Sequence, residues 1–176
     1  MKLTEPTIEY AQQISEYRRE FLESGESMDG TDGLRNIGDP AYWIQHCEDC
    51  KDPEKVPEGL VTATQYIYVR EEDRKIVGMI QIRHYFNDYL EKYGGHIGYS
   101  VAPSERRKGY AAMMLSAVLP ECRKLGLDRV LVTCDEDNEG SRRTILNNGG
   151  LYDGTVYEPG EKVRLLRYWI DVPREE

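Results

Sequence analysis

Residues 96–111 read HIGYSVAPSERRKGYA, and this stretch decides the fold. Its first half places apolar side chains at every second position from Ile97 to Val101, which predicts a β-strand. Pro103 ends that strand, and a basic turn leads from it to Gly109, where an apolar stripe of helical spacing begins. A strand, a tight turn and a helix in this order present the unpaired N–H groups of a helix N-terminus to an anion. The stretch therefore predicts an α/β fold with an anion-binding turn.

The turn holds three adjacent cations, Arg106, Arg107 and Lys108, in a chain whose formal net charge is −9. Gly109 lets the backbone come close to a bound phosphate, and Ala111 keeps the first helical turn slim. The alternative is a solvated helix start, because runs of basic residues usually face water. The position of the run between a strand and a glycine favours phosphate binding.

Composition limits the class of protein. A length of 176 residues predicts one domain spanning residues 1–176. The excess of 32 acidic over 23 basic residues argues against binding to nucleic acid, which normally needs a basic surface. No apolar run is long enough for a transmembrane helix, and residues 1–10 contain no apolar signal-peptide core. We therefore expect a cytoplasmic protein that binds neither nucleic acid nor a membrane.

Periodicity along the rest of the chain predicts four helices and six strands. The predicted helices are Thr7–Leu22, a short helix from Asp39 to Lys51, Gly109–Leu125 and Asn138–Asn148. The predicted strands are Thr62–Val69, Ile76–Tyr85, His96–Val101, Val130–Cys134, Leu151–Tyr157 and Val163–Val172. Alternation in the second strand predicts Ile76 and Ile80 on one face and Val77 and Met79 on the other. The order of elements indicates a single-domain α/β (α+β) fold with a mixed sheet.

The chain has four cysteines, of which Cys47 and Cys50 form a C-x-x-C beside His46. A structural zinc site would need a second close pair, but Cys122 and Cys134 lie far apart on different predicted elements. We therefore expect reduced thiols and no metal site. A zinc module built on Cys47 and Cys50 is the alternative that stays open.

The motif Arg106-x-x-Gly109-x-Ala111 follows a strand, and Asn138-x-x-Ser141 follows the next predicted strand. This combination resembles the acyl-CoA signature of the GNAT superfamily of N-acetyltransferases. The resemblance implies a strongly twisted mixed sheet of about six to seven strands with helices on both faces. It also implies acetyl-CoA as cosubstrate, an amine acceptor and, because dimers are frequent in such families, a possible homodimer.

The resemblance assigns roles to particular residues. Those that it places at the cofactor are Tyr99, Val101, Arg106, Arg107, Lys108, Gly109, Tyr110, Ala111, Asn138 and Ser141. The backbone amides of 106–111 would hold the pyrophosphate. The edge of the strand at Tyr99–Val101 would pair with the pantetheine arm where two parallel strands splay apart. Asn138 has a second interpretation as a helix cap, and the two roles are compatible.

The sequence departs from the family pattern at the proton-transfer groups. Family members often carry a tyrosine four residues after the position of Ser141, as general acid to the leaving thiolate, but here that residue is Ile145. Tyr110 and Tyr152 are alternative donors, and the general acid stays unassigned. His96 is a possible general base, because it opens the strand beside the expected thioester site and titrates near neutral pH. A strand-end histidine bonded to the backbone is the alternative.

Two functions follow from the resemblance. One is direct transfer of an acetyl group from acetyl-CoA to a primary amine of a small molecule or peptide in a ternary complex. The alternative is a non-catalytic acyl-CoA-binding sensor or interaction module, which Ile145 keeps open. Glu26, Asp29 and Asp32 crowd the long Ser24–Pro40 loop, and we hypothesise that they attract a cationic amine; a solvated acidic loop is the other interpretation.

Overall fold

Seven strands form one mixed sheet in the computed structural model, which describes residues 1–174. They are β1 (Lys2–Thr4), β2 (Ala63–Arg70), β3 (Lys75–Arg83), β4 (Ile97–Val101), β5 (Arg129–Asp135), β6 (Leu151–Glu158) and β7 (Val163–Asp171). Their order across the sheet is β1-β2-β3-β4-β5-β7-β6, and β4 and β5 are the one parallel pair among the described strands. The mixed sheet of six to seven strands is confirmed, although β1 was not predicted.

Within the described residues, four α-helices cover the two faces of this sheet, as expected. They are α1 (Ala11–Ser24), α2 (Pro40–Asp49), α3 (Tyr110–Lys124) and α4 (Glu139–Asn147). Alternate residues of β2 point to opposite faces, so that Ile67 and Val69 pack with α1 and α2 whereas Tyr66 and Tyr68 pack with α3 and α4. Among residues 1–174, no helix is both long and apolar enough to cross a membrane.

The predicted faces of β3 are wrong at two positions, Ile76 and Val77, relative to the residues that follow them. Ile76 and Met79 belong to the core beside α1 and α2, whereas Val77 and Ile80 belong to the core beside α3. Ile76 and Ile80 therefore lie on opposite faces. The pairing between β2 and β3 shifts register at Val69, and this β-bulge moves the alternation of side chains by one residue. Hydrophobicity alone could not reveal the bulge, because both faces of β3 are buried.

Candidate functional site

The candidate site is a gap between the parallel strands β4 and β5. The two strands share a single paired position, Ile97 with Val132, although both continue beyond it. At the closed end of the gap, the N–H of His96 donates to the carbonyl oxygen of Leu131 at 2.8 Å. Beyond Ile97 the edge of β4 that faces β5 is therefore open to an extended ligand.

Backbone register identifies the groups on that edge. The N–H of Arg83 donates to the carbonyl oxygen of His96, and the N–H of Ala102 donates to the carbonyl oxygen of Val77. Because hydrogen bonding alternates along an antiparallel pair, the even-numbered residues of this stretch bond to β3. The backbone groups of Tyr99 and Val101 consequently point toward the gap, where the sequence predicted a strand edge for pantetheine.

The gap leads to the basic turn and to the N-terminus of α3. Residues Pro103–Glu105 form one 3₁₀ turn, after which Arg107 and Gly109 take left-handed backbone conformations with φ of 61° and 81°. Gly109 is the N-cap of α3 and has no side chain to cap the helix. The first N–H groups of α3 therefore point outward beside Tyr110 and Ala111, in an arrangement that suits a phosphate.

Two of the three predicted cations are engaged by carboxylates of the protein itself. Lys108 forms an ion pair of 2.9 Å with Glu105, and Arg106 forms an ion pair with Glu26. The Nε of Arg106 also donates to the carbonyl oxygen of Val101 at 3.3 Å. Lys108 and Arg106 are thus held at the turn, and both of their side chains stay about half exposed.

Glu105 is a residue that the sequence interpretation missed. Its side chain is buried, and it forms ion pairs with Arg70, Lys75 and Lys108 at 2.8, 3.0 and 2.9 Å. The hydrogen bond from Arg70, together with the two lysines, lowers the pKa of Glu105 to about 2. Its N–H donates to the carbonyl oxygen of Ala102, so that Glu105 fixes the turn from within. No local pattern signals this role, because two of the three cations lie on β2 and β3.

The start of α4 closes the far side of the gap. Asn138 is the N-cap of α4, and its Oδ1 accepts a hydrogen bond of 3.0 Å from the N–H of Ser141. The hydroxyl groups of Tyr99 and Ser141 lie 2.6 Å apart and join β4 directly to α4. The structure thus brings Tyr99 and Ser141 together, and it gives Asn138 the capping role that was one of its two interpretations.

His96 lies at the closed end of the gap and is buried. Its Nδ1 accepts a hydrogen bond of 3.0 Å from the N–H of Leu131, and its ring stacks on Phe86 with centroids 4.0 Å apart. Burial and the charge of Arg83 lower the pKa of His96 to about 4. An imidazole whose Nδ1 accepts carries its hydrogen on Nε2, so its one basic nitrogen is already occupied. These contacts match the backbone-bonded interpretation of His96.

The residues considered as general acids lie in three different environments. Ile145 is fully buried in the core against α3 and has no proton to donate. The hydroxyl of Tyr110 accepts a hydrogen bond of 3.2 Å from Arg70. The hydroxyl of Tyr152 lies 2.6 Å from that of Thr155, at an exposed position on β6. The general acid therefore remains unassigned.

The loop between α1 and α2 lies across β4. Ser100 donates to the carbonyl oxygen of Asp29 at 2.7 Å, and Gln65 donates to the carbonyl oxygen of Gly30 at 2.8 Å. The backbones approach so closely that a Cβ on Gly30 would lie 2.1 Å from the carbonyl oxygen of Gly98. Trp43 of α2 donates to the next carbonyl oxygen, that of Thr31, at 2.8 Å. This part of the long loop is consequently a fixed wall of the site.

Carboxylates border the opening of the gap. Asp29 lies over β4, and Asp135 ends β5. Partial burial, together with the carboxylates of Asp137, Asp29 and Glu161, raises the pKa of Asp135. These acidic groups therefore lie near one another and give the opening a negative potential that favours a cation.

Of the three loop carboxylates predicted to attract an amine, two have a basic side chain as partner inside the protein. Glu26 pairs with Arg106, and Asp32 lies 3.4 Å from Nε2 of His46. Asp29 accepts from Ser27 and is exposed, so it is the member of this group that faces the opening most freely. The structure thus favours Asp29, out of the three predicted carboxylates, as the one that attracts a cationic amine.

Several solved structures share this fold. The microcin C7 self-immunity acetyltransferase, determined with acetyl-CoA and AMP, is 20% identical with a TM-score of 0.70, covering 97% of this chain and 91% of that one. A ribosomal-protein-S5-alanine acetyltransferase from Vibrio fischeri is 16% identical with a TM-score of 0.71, covering 99% and 94%. A spermidine N-acetyltransferase chimera from Vibrio cholerae is 12% identical with a TM-score of 0.62, covering 97% and 96%.

No curated protein matches the chain at the level of sequence. The model of the acetyltransferase (GNAT) family, in contrast, matches residues 29–149. That range is more than half of the chain and contains β4, the basic turn, α3 and α4, which form the candidate site. The chain therefore belongs to the GNAT acetyltransferase family.

Proposed function

We propose that the protein transfers the acetyl group of acetyl-CoA to a primary amine of a small molecule or peptide, by direct attack in a ternary complex. The observation that carries the proposal is the gap between β4 and β5, where the backbone groups of Tyr99 and the N–H of Val101 face the gap beside a helix N-terminus. This chain belongs to an acetyltransferase family, and one structural neighbour was determined with acetyl-CoA.

Different residues of the gap would bind different parts of the coenzyme. When bound, acetyl-CoA would supply a thioester whose carbonyl carbon a neutral amine can attack. The backbone of Tyr99 and Val101 would hold the pantetheine arm as an added strand would be held. The N–H groups of 106–111 would hold the phosphates, with Arg107 and Lys108 adding positive charge.

The acidic opening supports a cationic acceptor. Asp29 and Asp135 would attract an ammonium group from opposite sides of the gap. The acceptor must then lose a proton before its nitrogen can attack. We assign this step to Asp135, directly or through water, because it ends β5 at the opening of the gap, because neighbouring carboxylates raise its pKa, and because the Nδ1 of His96 is occupied. The structural neighbour that acts on spermidine is consistent with a cationic acceptor.

The test is the release of CoA thiol in the presence of a panel of small amines and peptides. We expect turnover with at least one cationic amine. Asp29→Asn should raise the KM for that amine several-fold, most strongly at low ionic strength, and leave the KM for acetyl-CoA unchanged. Glu23→Gln is the matched control, because Glu23 is an exposed carboxylate of α1 that pairs with Arg19. An equal change in both variants would contradict a specific role for Asp29.

The second candidate is a non-catalytic acyl-CoA-binding module, which the buried Ile145 favours because it cannot protonate a thiolate. Both candidate functions require binding of acetyl-CoA, but only the acetyltransferase releases CoA thiol. A rise in Tm with acetyl-CoA but no thiol release across the panel would support the module. No rise in Tm would contradict both candidates.

A further inference from the structure

Three metal-ligating side chains meet between the long loop and the C-terminal end of α2. His46 and Cys50 lie four residues apart on one face at the C-terminal end of α2. Asp32 reaches them from the loop. One ligand atom of each residue lies within 4.8 Å of those of the other two. The C-x-x-C motif had drawn attention to Cys47 as well, but that thiol packs in the apolar core with Ile14 and lies outside the group.

The distances in this group match those between the ligands of a tetrahedral zinc ion. Nε2 of His46 lies 3.5 Å from Sγ of Cys50 and 3.4 Å from Oδ1 of Asp32. The distance to Asp32 exceeds the usual ~2.7–3.2 Å of an N–H···O hydrogen bond, and one nitrogen serves two partners. A tetrahedral Zn²⁺ with ordinary Zn–S, Zn–N and Zn–O bonds holds sulfur and nitrogen roughly 3.6 Å apart and nitrogen and oxygen roughly 3.3 Å apart.

We propose that Asp32, His46 and Cys50 form a Zn²⁺ site with three protein ligands, in which water completes the tetrahedron. Thiolate, imidazole and carboxylate are the donors that Zn²⁺ takes in proteins. A Cys thiolate and an Asp carboxylate would balance the two charges of the ion, so that the site as a whole is neutral. The C-terminal end of α2 also favours a cation through the helix dipole.

The surroundings hold one ligand of the proposed site in place and leave the site accessible to an ion. Cys50 is 2% exposed, and its carbonyl oxygen accepts from the N–H of Ala63, which ties this ligand to the sheet. The side chains of His46 and Asp32 are 23% and 12% exposed, so an ion can enter from that side. The thiol of Cys50 must lose its proton when the ion binds, and the proton is released to solvent.

A metal ion at this position would restrain the part of the long loop that lies across β4. Asp32 follows Asp29 and Gly30, whose carbonyl oxygens are bonded to Ser100 and Gln65. Bound Zn²⁺ would tie the same segment to α2 through Asp32. We therefore expect the ion to slow amide hydrogen exchange in residues 29–33 without contacting the coenzyme side. Unchanged exchange in this segment under saturating Zn²⁺ would refute the link to the loop.

The direct test is metal titration of the full, reduced, chelator-treated protein, without acetyl-CoA or amine. Co²⁺ serves as the spectroscopic substitute for Zn²⁺. We expect one equivalent of Co²⁺ to give a thiolate-to-metal charge-transfer band and the visible bands of a tetrahedral ion, and Zn²⁺ to displace both. The absence of a thiolate band in the unmodified protein overturns the proposal, whatever the protein does with acetyl-CoA.

Variants assign the ligands. Cys50→Ser should abolish the charge-transfer band, whereas Cys47→Ser, the matched control on the same helix, should keep it. His46→Gln should weaken Zn²⁺ binding by at least about 100-fold, beyond the 10–100-fold typical of a group that only orients a ligand. It also provides the test if Cys50→Ser fails to fold, because His46 is partly exposed. A band that survives in Cys50→Ser, or unchanged affinity in His46→Gln, overturns the assignment.

Discussion

Replacing Glu105 by glutamine tests whether one buried carboxylate holds the basic turn. Glu105 is 4% exposed and forms ion pairs with Arg70, Lys75 and Lys108 at 2.8–3.0 Å. Lowering of its pKa from 4.5 to about 2 corresponds to about 3 kcal/mol of stability. Lys75 and Lys108 are partly hydrated, so we expect Glu105→Gln to lower the free energy of unfolding by about 2–3 kcal/mol near pH 7.

The effect should depend on pH in a defined direction. Because the pKa of Glu105 is lower in the folded than in the unfolded chain, its contribution is complete above about pH 5 and declines toward pH 2. Glutamine does not titrate. The difference in unfolding free energy between wild type and Glu105→Gln should therefore fall to about half its neutral value near pH 3.

Urea denaturation followed by circular dichroism at a series of pH values measures this difference. Glu139→Gln is the control, because Glu139 pairs with Arg142 and Arg143 in an exposed position and should change stability little. A loss under about 1 kcal/mol for Glu105→Gln near pH 7, or one that stays constant down to pH 3, would refute the reasoning.

Two further substitutions test the packing around the site. Gly30→Ala should destabilise the protein by at least about 2 kcal/mol, since its φ is +65° and its Cβ would meet the backbone of Gly98. Gly25→Ala carries the same left-handed strain with nothing within 4 Å, so urea denaturation should show a clearly smaller loss; equal losses would contradict the close approach. Ile145→Ala should lower the unfolding free energy by about 2–5 kcal/mol because Ile145 is fully buried, and a loss under about 1 kcal/mol would contradict its role in the core.

Much of the fold could be predicted because its signals are local. The apolar spacing of α3 and the glycine before it predicted a helix over Gly109–Leu125, and the structure has one over Tyr110–Lys124. Asn138 likewise predicted the start of α4 through its capping side chain. β1 was missed because Lys2–Thr4 is too short to show a periodicity. The β-bulge in β3 was missed because both faces of that strand are apolar.

The candidate site could be predicted only in part. The sequence identified Tyr99, Ser141 and the basic turn through a motif, and the structure brings Tyr99 and Ser141 within 2.6 Å. The sequence could not distinguish Asp29 from Glu26 among the loop carboxylates. That distinction depends on which carboxylate forms a direct ion pair, and the partner of Glu26 is Arg106, some 80 residues further along the chain.

By itself, the sequence determined the strand, turn and helix of residues 96–111 and with them the family to which the chain belongs. It could do so because capping, glycine conformations and apolar periodicity depend on neighbours within about four residues. The tertiary structure alone decided that β4 and β5 separate after Ile97, that Glu105 gathers three cations, and that Asp32 meets His46 and Cys50. These features depend on contacts between distant segments, which come together only when burial of the two cores fixes the packing of helices against the sheet.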